Sequence, residues 1–213
     1  ETVRRAALGG GDVYELCFTA DPAHRQAIRQ PPTMNPPDAN PDPTSMQVRT
    51  RVSYPSWSWV RARPARLLAF GLGSGLLRPA SGTWGTLLAW LSWFVFAPLA
   101  PDWALGMGIA AAFAYGCLAC GQAGRELGVS DHVGMVWDEI VAFWLVLWLV
   151  PQTVAAQALA FVLFRVFDIA KPPPIKYFDA RIKGGFGVMW DDIVAAAYTL
   201  LVMAILVRMG VFT

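Results

Sequence analysis

The chain has 213 residues, of which 55% are hydrophobic and 15% charged, with a formal net charge of +2. Soluble domains carry about 25% charged residues, so this balance, with a mean hydropathy of +0.42, points to a lipid bilayer as solvent. The small net charge argues against nucleic acid as a partner.

Residues 1–45 differ from the rest. The run from Gln30 to Pro43 is rich in Pro, Asn and Asp and is expected to be a disordered tail, because it offers too little apolar surface to order itself. It contains no apolar core of a signal peptide. Met46 reads as the natural start, with the upstream residues a read-through or fusion. Residues 46–66 form a basic segment with Arg49, Arg51, Arg61, Arg63 and Arg66, interleaved with Trp57 and Trp59, as suits a helix lying among lipid head groups. Residues 67–213 are the membrane domain.

That domain opens on a Gly-rich loop, Gly71 to Gly85. Five apolar segments follow at about Thr86–Leu99, Trp103–Cys120, Val136–Val150, Val154–Phe164 and Ile193–Phe212. A span takes about 20 helical residues. The second and fifth segments meet that length, and the first does so if it begins within the loop. The third and fourth are short and separated by Pro151-Gln152-Thr153, which leaves either a re-entrant hairpin or two spans in a thinned bilayer. The expected fold is all-α: a polytopic membrane helical bundle with five spans. Arg125 follows the second span, and Arg165, Lys171, Lys176, Arg181 and Lys183 follow the fourth, whereas Pro98–Asp102 and Pro151–Thr153 carry no Lys or Arg. The basic loops are therefore expected on the cytoplasmic side.

After the tail, nearly all acidic residues fall in those loops or at the helix ends they join: Glu126, Asp131, Asp138, Glu139, Asp168, Asp179, Asp191 and Asp192. Carboxylates at a helix start cap free amides and complement the dipole, which explains one pair. Two adjacent pairs, Asp138-Glu139 opening the third segment and Asp191-Asp192 opening the fifth, are expected instead to hold a hard divalent cation that offsets their repulsion. Arg165, Asp168 and Lys171 recur at i, i+3 and i+6 on one helix face. They are either an ion-pair ladder or one metal carboxylate with two cations for phosphate oxygens. Gly82, Thr83, Gly85 and Thr86, and Gly185 before the last acidic pair, either cradle an anion with backbone amides or make plain turns. His132, beside Asp131, reads either as a group that orients a ligand or transfers a proton or, more plainly, as a solvated loop histidine, and Cys117 and Cys120 as helix packing.

The strings Val136-Trp137-Asp138-Glu139, Phe164-Arg165-Val166-Phe167-Asp168-Ile169-Ala170-Lys171-Pro172 and Gly184-Gly185-Phe186-Gly187-Val188-Met189-Trp190-Asp191-Asp192, with Gly71–Leu76 and Gly82–Thr86 upstream, closely resemble the phosphatidylglycerophosphatase A family from Leu67 to Val207. The resemblance implies a Mg²⁺-dependent phosphatase of the bacterial inner membrane, its active site facing the cytoplasm, that converts phosphatidylglycerophosphate to phosphatidylglycerol. It implies Asp138, Glu139, Asp168, Asp191 and Asp192 as the acidic, metal-holding site, Arg165 and Lys171 as its basic companions, and the lipid bilayer as the setting. Departures from the family pattern are Ser81 for a proline, Arg78 for an earlier loop proline, Ala142 and Ala196 for glycines, and Ala180 with Arg181 for a displaced arginine. A type-2 phosphatidic acid phosphatase is excluded because Pro79-Ala80-Ser81-Gly82 leads to Thr83 where that family needs histidine. A transporter would carry ionisable groups at mid-bilayer depth, where this chain has almost none.

Overall fold

The computed structural model describes residues 54–173 and 184–212, and within them the chain is helical with no strand. The Pro-rich tail, Met46, Arg49, Arg51 and the loop bearing Lys176, Asp179, Arg181 and Lys183 lie outside the described residues. Two short helices come first, α1 (Trp57–Arg61) and α2 (Pro64–Ala69), then a kinked pair of 3₁₀ turns over Gly71–Leu76. Five longer helices follow: α3 (Ser81–Phe96), α4 (Asp102–Leu127), α5 (Trp137–Leu149), α6 (Val154–Ala170) and α7 (Gly185–Arg208).

The long helices alternate in direction. At one end Gly82 of α3, Glu139 of α5 and Arg165 of α6 meet, and Gly185 of α7 rests on Gly121 of α4. At the other end Trp93 Nε1 of α3 donates to Gln152 at the α5–α6 turn, and Trp148 Nε1 of α5 donates to Asp102 at the start of α4. Helix α7 packs on α4, α5 and α6, and α3 closes the far side of α5. The seams use small residues: Ala89, Ala142, Ala195 and Ala196 are all essentially inaccessible. Such residues let helices approach closely where lipid removes the hydrophobic drive for association. The alanines at positions 142 and 196 are among these buried seam residues.

Helix α4, with 26 residues, and α7, with 24, are long and apolar enough to cross a membrane. Only 28% and 33% of their apolar stretches are buried in the fold, whereas a core helix of a soluble protein would hide most of its surface. Trp103, Met107, Leu118, Leu201 and Ile205 instead face outward. Helix α5 has 13 residues, about 20 Å at 1.5 Å per residue, and α6 has 17. Their turn is held by Gln152, whose amide donates to the Leu147 and Val150 carbonyls, and by Thr153, whose hydroxyl caps the Ala156 amide.

The last helix begins earlier than the sequence suggests. Glycine is a poor helix former, so Gly184–Gly187 reads as a loop, yet α7 starts at Gly185. A Cβ at Gly185 would collide with the Cys117 carbonyl of α4, so the missing side chain is what lets α7 lie against α4. The Cys117 and Cys120 thiols are free.

Candidate active site

The carboxylates come together at the end where α5 and α7 start and α6 finishes. Asp138 and Glu139 lie in the first turn of α5. Asp191 and Asp192 sit in the second turn of α7, not at its opening, so capping of free amides does not account for that pair. One oxygen each from Asp138, Glu139 and Asp192 lie within 4.8 Å of one another. Asp138 and Asp192 are buried, and the Glu139 side chain is 13% exposed. Asp138 Oδ1 accepts the Glu139 amide at 3.1 Å, whereas Glu139 Oε2 and Asp192 Oδ2 are buried without a hydrogen-bond partner.

Three crowded carboxylates in a dry site repel one another and lose their hydration, a combination rarely kept without a compensating cation. The donor set is all oxygen, from two rigid helices, with two buried oxygens left for ligation. That fits a hard divalent ion such as Mg²⁺, which takes a few carboxylates and keeps the rest of its shell as water or substrate oxygen.

The remaining acidic and basic groups divide around this cluster. Asp168, Lys171 and Asp191 line the same cleft, together with Asp131 and His132. Lys171 Nζ lies 3.5 Å from Asp191 Oδ2. Arg165 does not line the cleft. It is buried beneath, with Nη1 2.5 Å from Asp168 Oδ2 and 3.7 Å from Glu139 Oε1. The single helix face expected for Arg165, Asp168 and Lys171 breaks at its last member, because α6 ends at Ala170 and Lys171 takes a left-handed conformation with φ 41°. Its side chain therefore leaves the face and turns to α7.

The first glycine motif serves the helix seam. Gly82 abuts Glu139 and Arg165, Gly85 abuts Val136, and Thr86 is buried with its hydroxyl donating to the Gly82 carbonyl at 2.9 Å. Thr83 is half-buried one residue beyond Gly82. None of these four lines the cleft, nor does Gly185, which is taken up by contact with α4.

His132 is not the solvated loop residue that one reading of the sequence expects, although it does line the cleft. It is 3% exposed, packed edge-on to Tyr54 at 5.3 Å and tilted against Phe70 at 5.7 Å, and its Nδ1 accepts the Gly134 amide. Residues 54 and 70 bury it, and neither is near it in sequence. Asp131 beside it carried only one sequence signal, its place in the short acidic connection before Asp138. Ser81, at the start of α3, hydrogen-bonds to the Val133 carbonyl and ties this connection to the first motif.

Over residues 67–207 the chain matches the sequence profile of phosphatidylglycerophosphatase A. The chain belongs to the phosphatidylglycerophosphatase A family. It is 43% identical over 146 residues to the phosphatidylglycerophosphatase A of Haemophilus influenzae, covering 66% of this chain and 86% of that protein. It is 40% identical over 139 residues to that of Escherichia coli, covering 63% and 78%. A Bacteroides thetaiotaomicron protein under the provisional name of phosphatidylinositol-3-phosphatase is 36% identical over 148 residues, 65% of this chain and 91% of that protein. No solved structure matches the chain. The family region contains all five core carboxylates, Arg165 and Lys171. With two helices of membrane-crossing length, this member of the family is membrane-associated.

Proposed function

We propose that this chain is a Mg²⁺-dependent phosphatase of the bacterial inner membrane, multi-pass, with its active site facing the cytoplasm. It hydrolyses phosphatidylglycerophosphate to phosphatidylglycerol and phosphate. Membership of the family supports the reaction, since two relatives bear that name. The observation that carries the chemistry is the meeting of Asp138, Glu139 and Asp192 oxygens within 4.8 Å. The inner-face orientation rests on Arg63 and Arg66, which pair with Glu126 near the end of α4, together with Arg125 in its last turn and Lys171 at the cleft.

Asp138, Glu139 and Asp192 would hold the Mg²⁺, and Asp168 and Asp191 complete the acidic wall of the cleft. When bound, the ion neutralises phosphoryl oxygens and favours in-line attack by water. Lys171 reaches the cleft from the end of α6 and takes charge on the phosphoryl oxygens, while Asp191 holds its ammonium in place. Water forms the new P–O bond, a cleft carboxylate accepts its proton, and the bond from phosphorus to the glycerol oxygen breaks. That oxygen leaves with a proton, giving phosphatidylglycerol and inorganic phosphate.

The test is phosphate release from phosphatidylglycerophosphate in detergent micelles, with and without Mg²⁺, for wild type, Asp192→Asn and Asp168→Asn. The reading expects Mg²⁺-dependent release that both variants lose. Release without divalent ion, or full activity in both variants, would overturn it. Because one relative is named for a phosphoinositide, phosphatidylinositol 3-phosphate belongs in the same assay, and faster release from it would reassign the substrate within the lipid phosphomonoesters.

A further inference from the structure

Among the described residues two cations, Arg165 and Lys171, accompany the carboxylates, and their surroundings differ. Lys171 lines the cleft where a phosphate would enter. Arg165 lies below it, its side chain 8% exposed, between the start of α3, the first turn of α5 and the last turn of α6. One guanidinium nitrogen faces both Asp168 Oδ2 and Glu139 Oε1. That nitrogen is held in the rigid plane of the guanidinium, whereas a lysine ammonium would act as a point charge on a flexible stem. Gly82 completes the arrangement. A Cβ there would stand 2.9 Å from Arg165 Nη1 and 3.0 Å from Nη2, and would overlap Glu139 Oε1. The bare backbone of the first motif is thus the wall against which the Glu139–Arg165 pair is set.

We propose that Arg165 is a positioning residue: seated against Gly82, it fixes the Glu139 and Asp168 carboxylates from beneath, and Lys171 alone of the two cations meets the substrate phosphate. This rests on the proposed metal-assisted hydrolysis and divides labour within it. Glu139 contributes one oxygen to the cluster with Asp138 and Asp192, and its Oε1 lies 3.7 Å from Arg165 Nη1. With the guanidinium gone, the Glu139 carboxylate is free to rotate away from its neighbours, and the divalent site loses its geometry before the phosphate pocket loses its charge. Partners that orient metal ligands in this way typically change metal affinity by about 10–100-fold when removed.

The test compares Arg165→Gln, Arg165→Lys and Gly82→Ala with Lys171→Gln, all in the full chain. Kinetics on phosphatidylglycerophosphate micelles give kcat and KM, and Mg²⁺ titration of the melting temperature gives metal affinity without turnover. The Arg165 and Gly82 variants should shift the Mg²⁺ midpoint of melting upward by about 10–100-fold and lower kcat, with KM for lipid unchanged. Lys171→Gln should raise KM with the wild-type Mg²⁺ midpoint. A raised KM with an unshifted Mg²⁺ midpoint in Arg165→Gln and Arg165→Lys would overturn the proposal and make Arg165 a phosphate ligand. Should Arg165→Gln fail to fold, Gly82→Ala carries the same reading through the same pair. Failure of the wild type to release phosphate from the lipid strikes the function itself, and the melting titration still decides the role of Arg165.

Discussion

Replacing Asp192 by Asn should raise stability in the absence of metal and abolish the stabilisation that metal confers. The donor oxygens of Asp138, Glu139 and Asp192 lie within 4.8 Å of each other. Two full charges at that distance repel by about 3.5 kcal/mol at an effective dielectric constant near 20. Asp192 faces two such neighbours, and its Oδ2 has no hydrogen-bond partner to offset them. An Asn amide removes both repulsions and adds N–H groups that neighbouring carboxylates accept. Proton uptake by the wild-type cluster relieves part of the repulsion, which leaves a gain of roughly 1 kcal/mol, or about 2–4 °C for a chain of this size. Magnesium acts in the opposite sense. An ion at 100 times its dissociation constant stabilises the wild type by about 2.7 kcal/mol, and the variant, short of one ligand, gains little. Melting curves in detergent with EDTA and then with saturating Mg²⁺ should therefore cross: Asp192→Asn melts higher in EDTA and lower in Mg²⁺. Phosphatase activity should fall at least roughly a hundredfold, which corresponds to about 2.7 kcal/mol of lost transition-state stabilisation. A variant that melts below wild type in EDTA, or that rises with Mg²⁺ as wild type does, refutes the metal cluster.

Gly185→Ala should lower the melting temperature equally with and without Mg²⁺, because its Cβ meets the Cys117 carbonyl and lies 2.6 Å from the Gly121 amide. Overpacking of this kind costs about 1–3 kcal/mol, and a shift confined to one metal condition would contradict the seam reading. Gln157→Leu removes the acceptor for Trp90 Nε1 at 2.9 Å and the link to Gln152 at 3.2 Å, in a residue 2% exposed. Its expected cost is about 0.6–1.7 kcal/mol in melting, with the Mg²⁺ midpoint unmoved, since these groups lie at the end of the bundle remote from the carboxylates.

The helical character and the segment centres were legible because long apolar runs with charge confined to their ends leave few alternatives. Segment ends were less so, for reasons visible at two residues. Gly185 is a helix residue only because α4 demands a bare backbone there, a tertiary requirement that outweighs propensity. Lys171 left the predicted face because α6 stops one residue before it, which no periodicity encodes. The acidic set was legible as composition, since Asp138, Glu139 and Asp192 stood paired at the ends of apolar runs and do meet in space. Which cation faces the cleft was not, because Arg165 and Lys171 sit on one helix register and are separated by the backbone turn between them. His132 was unreadable for a different reason: Tyr54 and Phe70 bury it, and both come from elements far away in the chain.

The level of the carboxylates along the helices bears on why a lipid is the fitting substrate. Asp192 is the eighth residue of the 24-residue α7, about 10 Å from its start at 1.5 Å per residue. From there to Arg208 the helix runs about 24 Å, somewhat less than a hydrocarbon core of about 30 Å. If α7 spans the bilayer as proposed, with Arg208 extending toward the far interface, the carboxylates would fall at the near boundary between acyl chains and head groups. Aromatic side chains mark the same level: Trp57 and Trp84 are exposed at the carboxylate end, and Phe186 stacks on Trp190, the residue before Asp191. Trp103 and Trp148 lie at the other end, so the two sets read as interfacial belts. A phosphomonoester carried on a lipid head group is delivered to this depth by its own acyl chains, and its anchoring supplies orientation that a soluble ester would have to gain from contacts. Among the described residues the cleft has few such contacts to offer: apart from Lys171 and His132, its lining is acidic or apolar. On the proposed function, selection for lipid would therefore follow from where the charges sit in the bilayer, more than from recognition of the glycerol released.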